Sequence, residues 1–261
     1  MNKAQTKADQ LNWLEKKRVE RGRRALRRQL EYQEQKARDI GDPSEMFHGI
    51  FLHCQGIRQR LERIKPIKPD DKILEVGSGA HGLIFGFGGN FSVGIDPLAV
   101  DYKRLFPRWQ TSATTVTGIG EQLPFDNASF DFVLSDNVID HAANPCRIVD
   151  EISRVLKPAG LLYFTVNVHH PIYDIASRAH GAWNAIGLKF ELSAFADHTV
   201  HLTEKQIRGV FARQPLKTIE MHSTVTATRA AQRSAKSVRP DSLMKKLFFK
   251  NALFEVIAER T

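Results

Sequence analysis

The sequence predicts an α/β fold in which a doubly wound, mostly parallel sheet carries helices on both faces. Three observations predict it. Short runs of strand character recur between helical or turn-rich segments, at residues 73–76, 91–95, 114–117, 130–135 and 161–168. Short connections join them, and the right-handed crossover rule leaves few topologies for such alternation. The first run ends abruptly in three glycines, Gly77, Gly79 and Gly82, and a strand followed by a glycine turn makes a nucleotide-binding corner.

In chain order, residues 11–40 are charged and free of proline and read as a helix with sparse apolar positions at Leu11, Leu14, Val19, Leu26 and Leu30. Gly41-Asp42-Pro43 breaks it, and residues 45–64 show Met46, Phe47, Ile50, Phe51, Ile57, Leu61 and Ile64 near helical period. The stretch 65–71, with Pro66 and Pro69, is a stiff connector into the first strand. After the glycine turn, residues 83–87 should begin a short crossover helix. The second strand ends in Asp96-Pro97, the fourth in Ser135-Asp136-Asn137, and a helix over 144–156 buries Ile148, Ile152, Val155 and Leu156. Lys157-Pro158-Ala159-Gly160 ends that helix before strand five. Residues 171–190 start helical, a helix runs from Thr203 to Phe211, and strands six and seven are expected at 216–225 and 253–259. Between those last two, residues 229–250 are rich in Lys and Arg with one acidic residue, Asp241, and read as an inserted loop and basic helix.

Composition narrows the function class. Among 261 residues the apolar share is 42% and the charged share 26%, ordinary for a globular protein. Two cysteines, Cys54 and Cys146, exclude a disulfide framework and suggest a reducing compartment. No run approaches a bilayer span and the N-terminus lacks a signal-peptide core, so the expected location is cytoplasmic. The net charge is +9, and residues 1–40 hold twelve Lys/Arg against six Asp/Glu. Such an arm can contact nucleic acid or an anionic surface. With only Trp13 and Tyr32 for stacking, a solvated helix packing one thin stripe is the favoured reading. The expected division is an N-terminal extension at 1–44 and one domain at 45–261.

The spacing Gly77-x-Gly79-x-x-Gly82 with Asp96 fits a dinucleotide fingerprint and makes an NAD-dependent oxidoreductase one reading. Glu75, two residues before the first glycine, points elsewhere. Four segments then resemble the class I S-adenosylmethionine-dependent methyltransferases of the type 11 or UbiE-like small-molecule group. They are Glu75-Val-Gly-Ser-Gly79, Gly94-Ile-Asp96-Pro97, the block 121–133 (Glu-Gln-Leu-Pro-Phe-Asp-Asn-Ala-Ser-Phe-Asp-Phe-Val), and 151–160 (Glu-Ile-Ser-Arg-Val-Leu-Lys-Pro-Ala-Gly). The resemblance covers about residues 70–168.

That resemblance implies a Rossmann-like seven-stranded sheet with the last strand antiparallel, S-adenosyl-L-methionine as cofactor, and methyl transfer to an O, N or C acceptor on a small molecule or glycan. It further implies that Gly77, Ser78 and Gly79 hold the methionine end, with Glu75 near its amino group. Asp96 would bind the ribose, Pro97 or Leu98 would pack on adenine, and Gly120 and Glu121 would wrap the adenine rim. Asp136 and Asn137 would face the sulfonium and the substrate. The sequence departs from the family at three points: His81 stands where the third glycine is expected, Ile119 where an adenine-binding Asp is frequent, and Ala159 where a second Gly is common. A non-catalytic protein that keeps the fold is therefore a further reading. A nucleic-acid substrate is disfavoured because strand four ends Ser135-Asp-Asn-Val and lacks the Asn-Pro-Pro-Tyr/Phe motif.

A hydroxyl acceptor needs a base, worth roughly 10²–10⁴ in rate. Candidates are His170 first and His141 second, with His169, Tyr173, His198 and His201 nearby in sequence. No Cys/His spacing supports a zinc site.

Overall fold

The computed structural model describes residues 3–88, 90–139, 142, 144–173, 201–234, 248–249 and 251–261. Seven strands form one sheet: β1 (Lys72–Val76), β2 (Phe91–Asp96), β3 (Thr114–Thr117), β4 (Phe130–Asp136), β5 (Leu156–Val168), β6 (Leu216–Ser223) and β7 (Ala252–Arg260). Their order is β3-β2-β1-β4-β5-β7-β6. The first five pair in parallel, and β7 runs antiparallel to both of its neighbours. The described helices are α1 (Lys3–Asp39), α2 (Ser44–Ile64), α3 (Ala99–Leu105), α4 (Pro107–Gln110), α5 (Pro145–Val155), α6 (Glu204–Phe211) and α7 (Val225–Ser234).

Period-two alternation divides the central strands between two cores. Leu74, Val76, Val133, Leu162 and Phe164 pack with Ile148 and Ile152 of α5 and Ile207 and Phe211 of α6. On the opposite face Ile73, Phe132, Leu134, Leu161 and Tyr163 meet Cys54, Ile57 and Leu61 of α2. Strands buried on both faces explain why these segments read as continuous apolar runs.

Three expectations need correction. The crossover helix after the glycines is only a 3₁₀ turn, Leu83–Gly86; Gly86 lies so close to Cys54 of α2 that a Cβ there would collide with the cysteine side chain. Helices α3 and α4 fill the stretch after β2. Strand β6 stops at Ser223, and α7 begins at Val225, where a strand was expected to continue. Residues 157–160 do not separate helix from strand cleanly. Phe130 pairs with Leu156 and Phe132 with Leu161, so the extra residues of β5 bulge from a strand that continues on both sides. The expected helix over 174–190 lies outside the described residues, as does most of the 229–250 insert.

Ala159 in that bulge has φ 57°, a left-handed conformation that costs an L-residue roughly 1–2 kcal/mol. Glycine's extra unfolded-state entropy offsets about half of that gain. Ala159→Gly should therefore raise stability by about 0.5–1 kcal/mol, read as a higher urea midpoint with an unchanged m-value.

Candidate active site

The carboxyl ends of β1, β2, β4 and β5 converge, and the glycine loop turns at their centre. Glu75, the last-but-one residue of β1, is 1% exposed. Its two carboxylate oxygens accept from the backbone N–H of Leu83 at 2.9 Å and of Ile84 at 2.8 Å. Burial pushes its pKa up to about 8 against the downward pull of those amides, and the nearby carboxylates of Asp136 and Asp96 push the same way. Glu75 therefore sits beneath the loop as its brace, and its carboxylate is already committed to protein amides. The same carboxylate explains the third glycine: a Cβ on Gly82 would collide with Glu75 and with the Ser78 carbonyl. Gly82 itself has φ −70°, so space alone, and no unusual backbone, demands glycine there.

Gly77 and Gly79 differ. Both have positive φ, 75° and 54°, the region glycine enters without steric cost. A Cβ on Gly77 would strike Val138, whereas one on Gly79 would meet nothing within 4 Å. The loop thus leaves open room above Gly79. Ser78 turns inward: it is buried, and a Cβ on Gly94 of β2 would overlap its side chain. Its backbone, and not its hydroxyl, belongs to the ligand side.

Asp96 at the β2 tip accepts from Gly79 N–H at 3.0 Å and Leu98 N–H at 2.8 Å. It therefore ties the glycine loop to the turn containing Pro97. Burial raises its pKa against these two bonds. Behind the loop, buried Gln110 of α4 donates to the carbonyls of Ala80 at 2.8 Å and Gly79 at 3.3 Å, and its own oxygen accepts from Thr115 of β3. The sequence carried no signal for Gln110, a lone amide in a four-residue helix.

Gly120 packs against Val76 and Ile148, leaving little room for a Cβ. Glu121 accepts Asn144 N–H at 3.3 Å on its side chain and Arg147 Nε at 3.2 Å on its carbonyl. Ile119 is 48% exposed, so an apolar side chain lies on the surface at the position where the resemblance implies an acid. Farther along, Arg154 of α5 donates to the carbonyls of Leu123 and Phe125 and to Asn127, while Glu151 accepts Leu123 N–H. The two sequence blocks 121–133 and 151–160 hold one another.

At the tips of β4 and β5, Asp136 accepts from the Thr165 hydroxyl. Asn137, at φ 56°, accepts from the Asn167 backbone at 3.0 Å and its side chain at 2.7 Å. Thr165 and Asn167 were missed; two polar residues at the end of an apolar strand were their available signal. His170 follows β5. Its Nδ1 accepts Ile172 N–H at 3.3 Å, its ring packs on Phe248 and Phe249, and burial, with Arg229 nearby, lowers its pKa. A neutral imidazole accepting at Nδ1 carries its proton at Nε2. In this geometry His170 presents its Nε2–H as a hydrogen-bond donor. His169 and His201 are buried ring to ring at 4.8 Å. His141 and His198 lie outside the described residues. A cleft of about 750 Å³ lined by Lys72, Phe91, Thr114, Phe125 and Phe130 opens at the other end of the sheet and contains none of the expected site residues.

Comparison with known proteins bears on the domain that carries this site. Residues 74–164 match the family model described as "Methyltransferase domain". A Mycolicibacterium gilvum protein named as a methyltransferase is 34% identical over 99 residues, covering 37% of this chain and 39% of that one. A Methanocaldococcus jannaschii protein is 29% identical over 103 residues, 40% of this chain and 48% of its own length. The chain thus spans less than half the length of these curated relatives. Among solved structures, a Bacillus halodurans C-125 protein described as a methyltransferase aligns with TM-score 0.56 at 18% identity, covering 77% of this chain and 97% of that one. The geranyl diphosphate C-methyltransferase of Streptomyces coelicolor A3(2) aligns with TM-score 0.51 at 15% identity, covering 74% and 73%. These structures share the fold. The likeness to a methyltransferase domain is therefore carried by residues 74–164.

His81, at the departure from the glycine motif, lies among Phe47, Phe106 and Trp109. Burial pushes its pKa down to about 4, with Lys36 of α1 adding to the effect. An unfolded histidine titrates near ~6.5, so the unfolded chain binds the extra proton between those values. His81's contribution to stability is fully present above ~6.5 and is lost as pH falls through about 4. Thermal melts at pH 7.5 and pH 5 should show His81→Phe losing less Tm on acidification than the unsubstituted chain.

Proposed function

We propose that the protein is an S-adenosylmethionine-dependent methyltransferase acting on a small-molecule acceptor. The observation that carries this reading is the glycine loop of a methyltransferase domain, braced by Glu75, open above Gly79 and tied to Asp96. The fit is chemical as well as spatial: a carboxylate stands at the β2 tip, positive-φ glycines leave ligand space, and a polar group of Asp136, Asn137, Thr165 and Asn167 lines the adjoining strand tips. When bound, S-adenosylmethionine supplies a methyl group already activated on a sulfonium.

The chain's own work is then binding, orientation and exclusion of water, which can lower such a barrier by roughly 7–11 kcal/mol. The backbone of Gly77–Gly79 would hold the amino-acid end and Asp96 the ribose hydroxyls. Pro97, Leu98 and the segment 118–121, with Gly120 and Glu121, would surround the adenine. Asp136 and Asn137 would border the reacting centre. His170, through its Nε2–H, would orient the acceptor, a role that suits an acceptor needing little help from a base.

A dinucleotide is disfavoured because its pyrophosphate needs the N-terminus of a regular helix after the glycines, and here only the Leu83–Gly86 3₁₀ turn follows. Titration with S-adenosylhomocysteine and with NADH separates the readings. Micromolar binding of the first and none of the second is expected, and the reverse result overturns the proposal. Labelled methyl groups should pass from the cofactor into a small-molecule fraction of cell extract; clear cofactor binding with no labelled product would favour a non-catalytic protein. Gly79→Ala should melt a few degrees below the unsubstituted chain, because its Cβ meets no protein atom but its φ of 54° is left-handed, and should lose S-adenosylhomocysteine affinity about tenfold or more.

A further inference from the structure

Strand β6 comes last in the sheet order, and its outer edge pairs with no strand among the described residues. Every residue from 217 to 222 is exposed. Such an edge is a template for another strand unless something blunts it. This one spans eight residues and holds Ile219 and Met221 at 39% and 38% exposed.

The bulge in β6 decides what the edge can accept. Residues paired across an antiparallel ladder share a face, and alternate residues of a regular strand do the same. Lys217 pairs with Glu259 and Glu220 with Ile257, so Lys217 and Glu220 share a face although they stand three positions apart. Leu216 pairs with Arg260 and Met221 with Val256, so these two share the other face. The side-chain contacts agree: Arg60 of α2 meets Glu220 on one side of the sheet, and Arg208 of α6 meets Met221 on the other. A lysine and a bulge ordinarily guard an edge. Here the bulge moves Glu220 onto the face of Lys217, and the guard becomes half of a pair.

A two-fold axis perpendicular to the sheet sets two copies of β6 antiparallel and matches like faces. With the axis between Thr218 and Ile219, Lys217 lies opposite Glu220 of the second copy, and Leu216 opposite its Met221. Opposite charges then meet twice on one face, and apolar side chains meet twice on the other. An axis through Ile219 would set Leu216 against His222, which lie on different faces. An axis between Ile219 and Glu220 keeps the faces but sets Lys217 against His222, with no opposite charge. One register satisfies both requirements.

We propose that a second copy of this chain pairs with β6 in that register, joining the two sheets edge to edge. Backbone hydrogen bonds supply the attachment, and Lys217 with Glu220 selects the register. Two short strands make a small interface, so the dimer is weak and concentration-dependent. The proposal is independent of the methyltransferase reading.

Sedimentation equilibrium of the full chain tests it. The unsubstituted chain should show a monomer–dimer equilibrium in the micromolar range. Lys217→Glu sets acid against acid twice and should weaken the dimer about tenfold or more. Glu220→Lys should do the same with two bases. Mixed in equal amounts, the two variants regain opposite charges at both contacts, and a mixed dimer should form about as tightly as the unsubstituted one. Melting curves show whether each variant is folded. Met221→Glu, whose carboxylate can meet Arg208 within its own chain, is a disrupting variant that keeps the Arg60–Glu220 pair. A chain that stays monomeric at every concentration overturns the proposal. So does a dimer that neither Lys217→Glu nor Met221→Glu weakens, or a mixture of the two charge variants that stays monomeric.

Discussion

The ligand end of this molecule depends on one buried carboxylate. Glu75 leaves β1 pointing under the glycine loop, where two backbone N–H groups of the following turn converge on it. Those amides belong to a turn too short to satisfy them internally, because its first N–H groups have no carbonyl one turn earlier. The carboxylate supplies that acceptor from below, and in doing so fixes where the chain turns and which position cannot carry a side chain. Gly82 follows from Glu75; the open space above Gly79 follows from the turn that Glu75 holds. The cost of keeping a carboxylate in the interior appears as its raised pKa, a cost that the rigid loop offsets.

Around this brace, the signature segments act as mutual supports. Arg154 reaches carbonyls of the 121–133 block, Glu151 caps an amide in it, and α5 pins Glu121. Gln110 supports the loop from β3's side, and Asp96 from β2's. Residues that face the ligand are few; most of the recognisable motif is scaffolding that places backbone groups. The family match covers 74–164, the stretch that holds this scaffolding.

Much of this was legible in the sequence, because buried parallel strands are continuous apolar runs and the glycines mark the turn. The five parallel strands, α2, α5 and α6 could be read within a few residues, and the four motif blocks pointed to the right class of domain. What could not be read depended on tertiary contacts. Gly82 looked like part of a dinucleotide fingerprint because the Glu75 carboxylate that demands it lies seven residues away in sequence and only folding brings the two together. Helix α3 carries too few residues to establish a period. The bulge at 157–160 reads as a turn because Pro158 and Gly160 are turn residues wherever they stand. His170 was found as a candidate, but its tautomer is set by Ile172 N–H and no spacing reveals that.

The contact between Ser78 and Gly94 reaches beyond stability into how this sequence can drift. The Ser78 side chain occupies the volume that any Cβ on β2 at Gly94 would need, so the two positions share one allotment of space in a close-packed interior. An alanine at position 94 demands a glycine at 78, and a serine at 78 holds 94 at glycine. Across diverging descendants these two sites should change together or not at all, leaving a pair of substitutions whose order of arrival matters: 78 must shrink before 94 can grow.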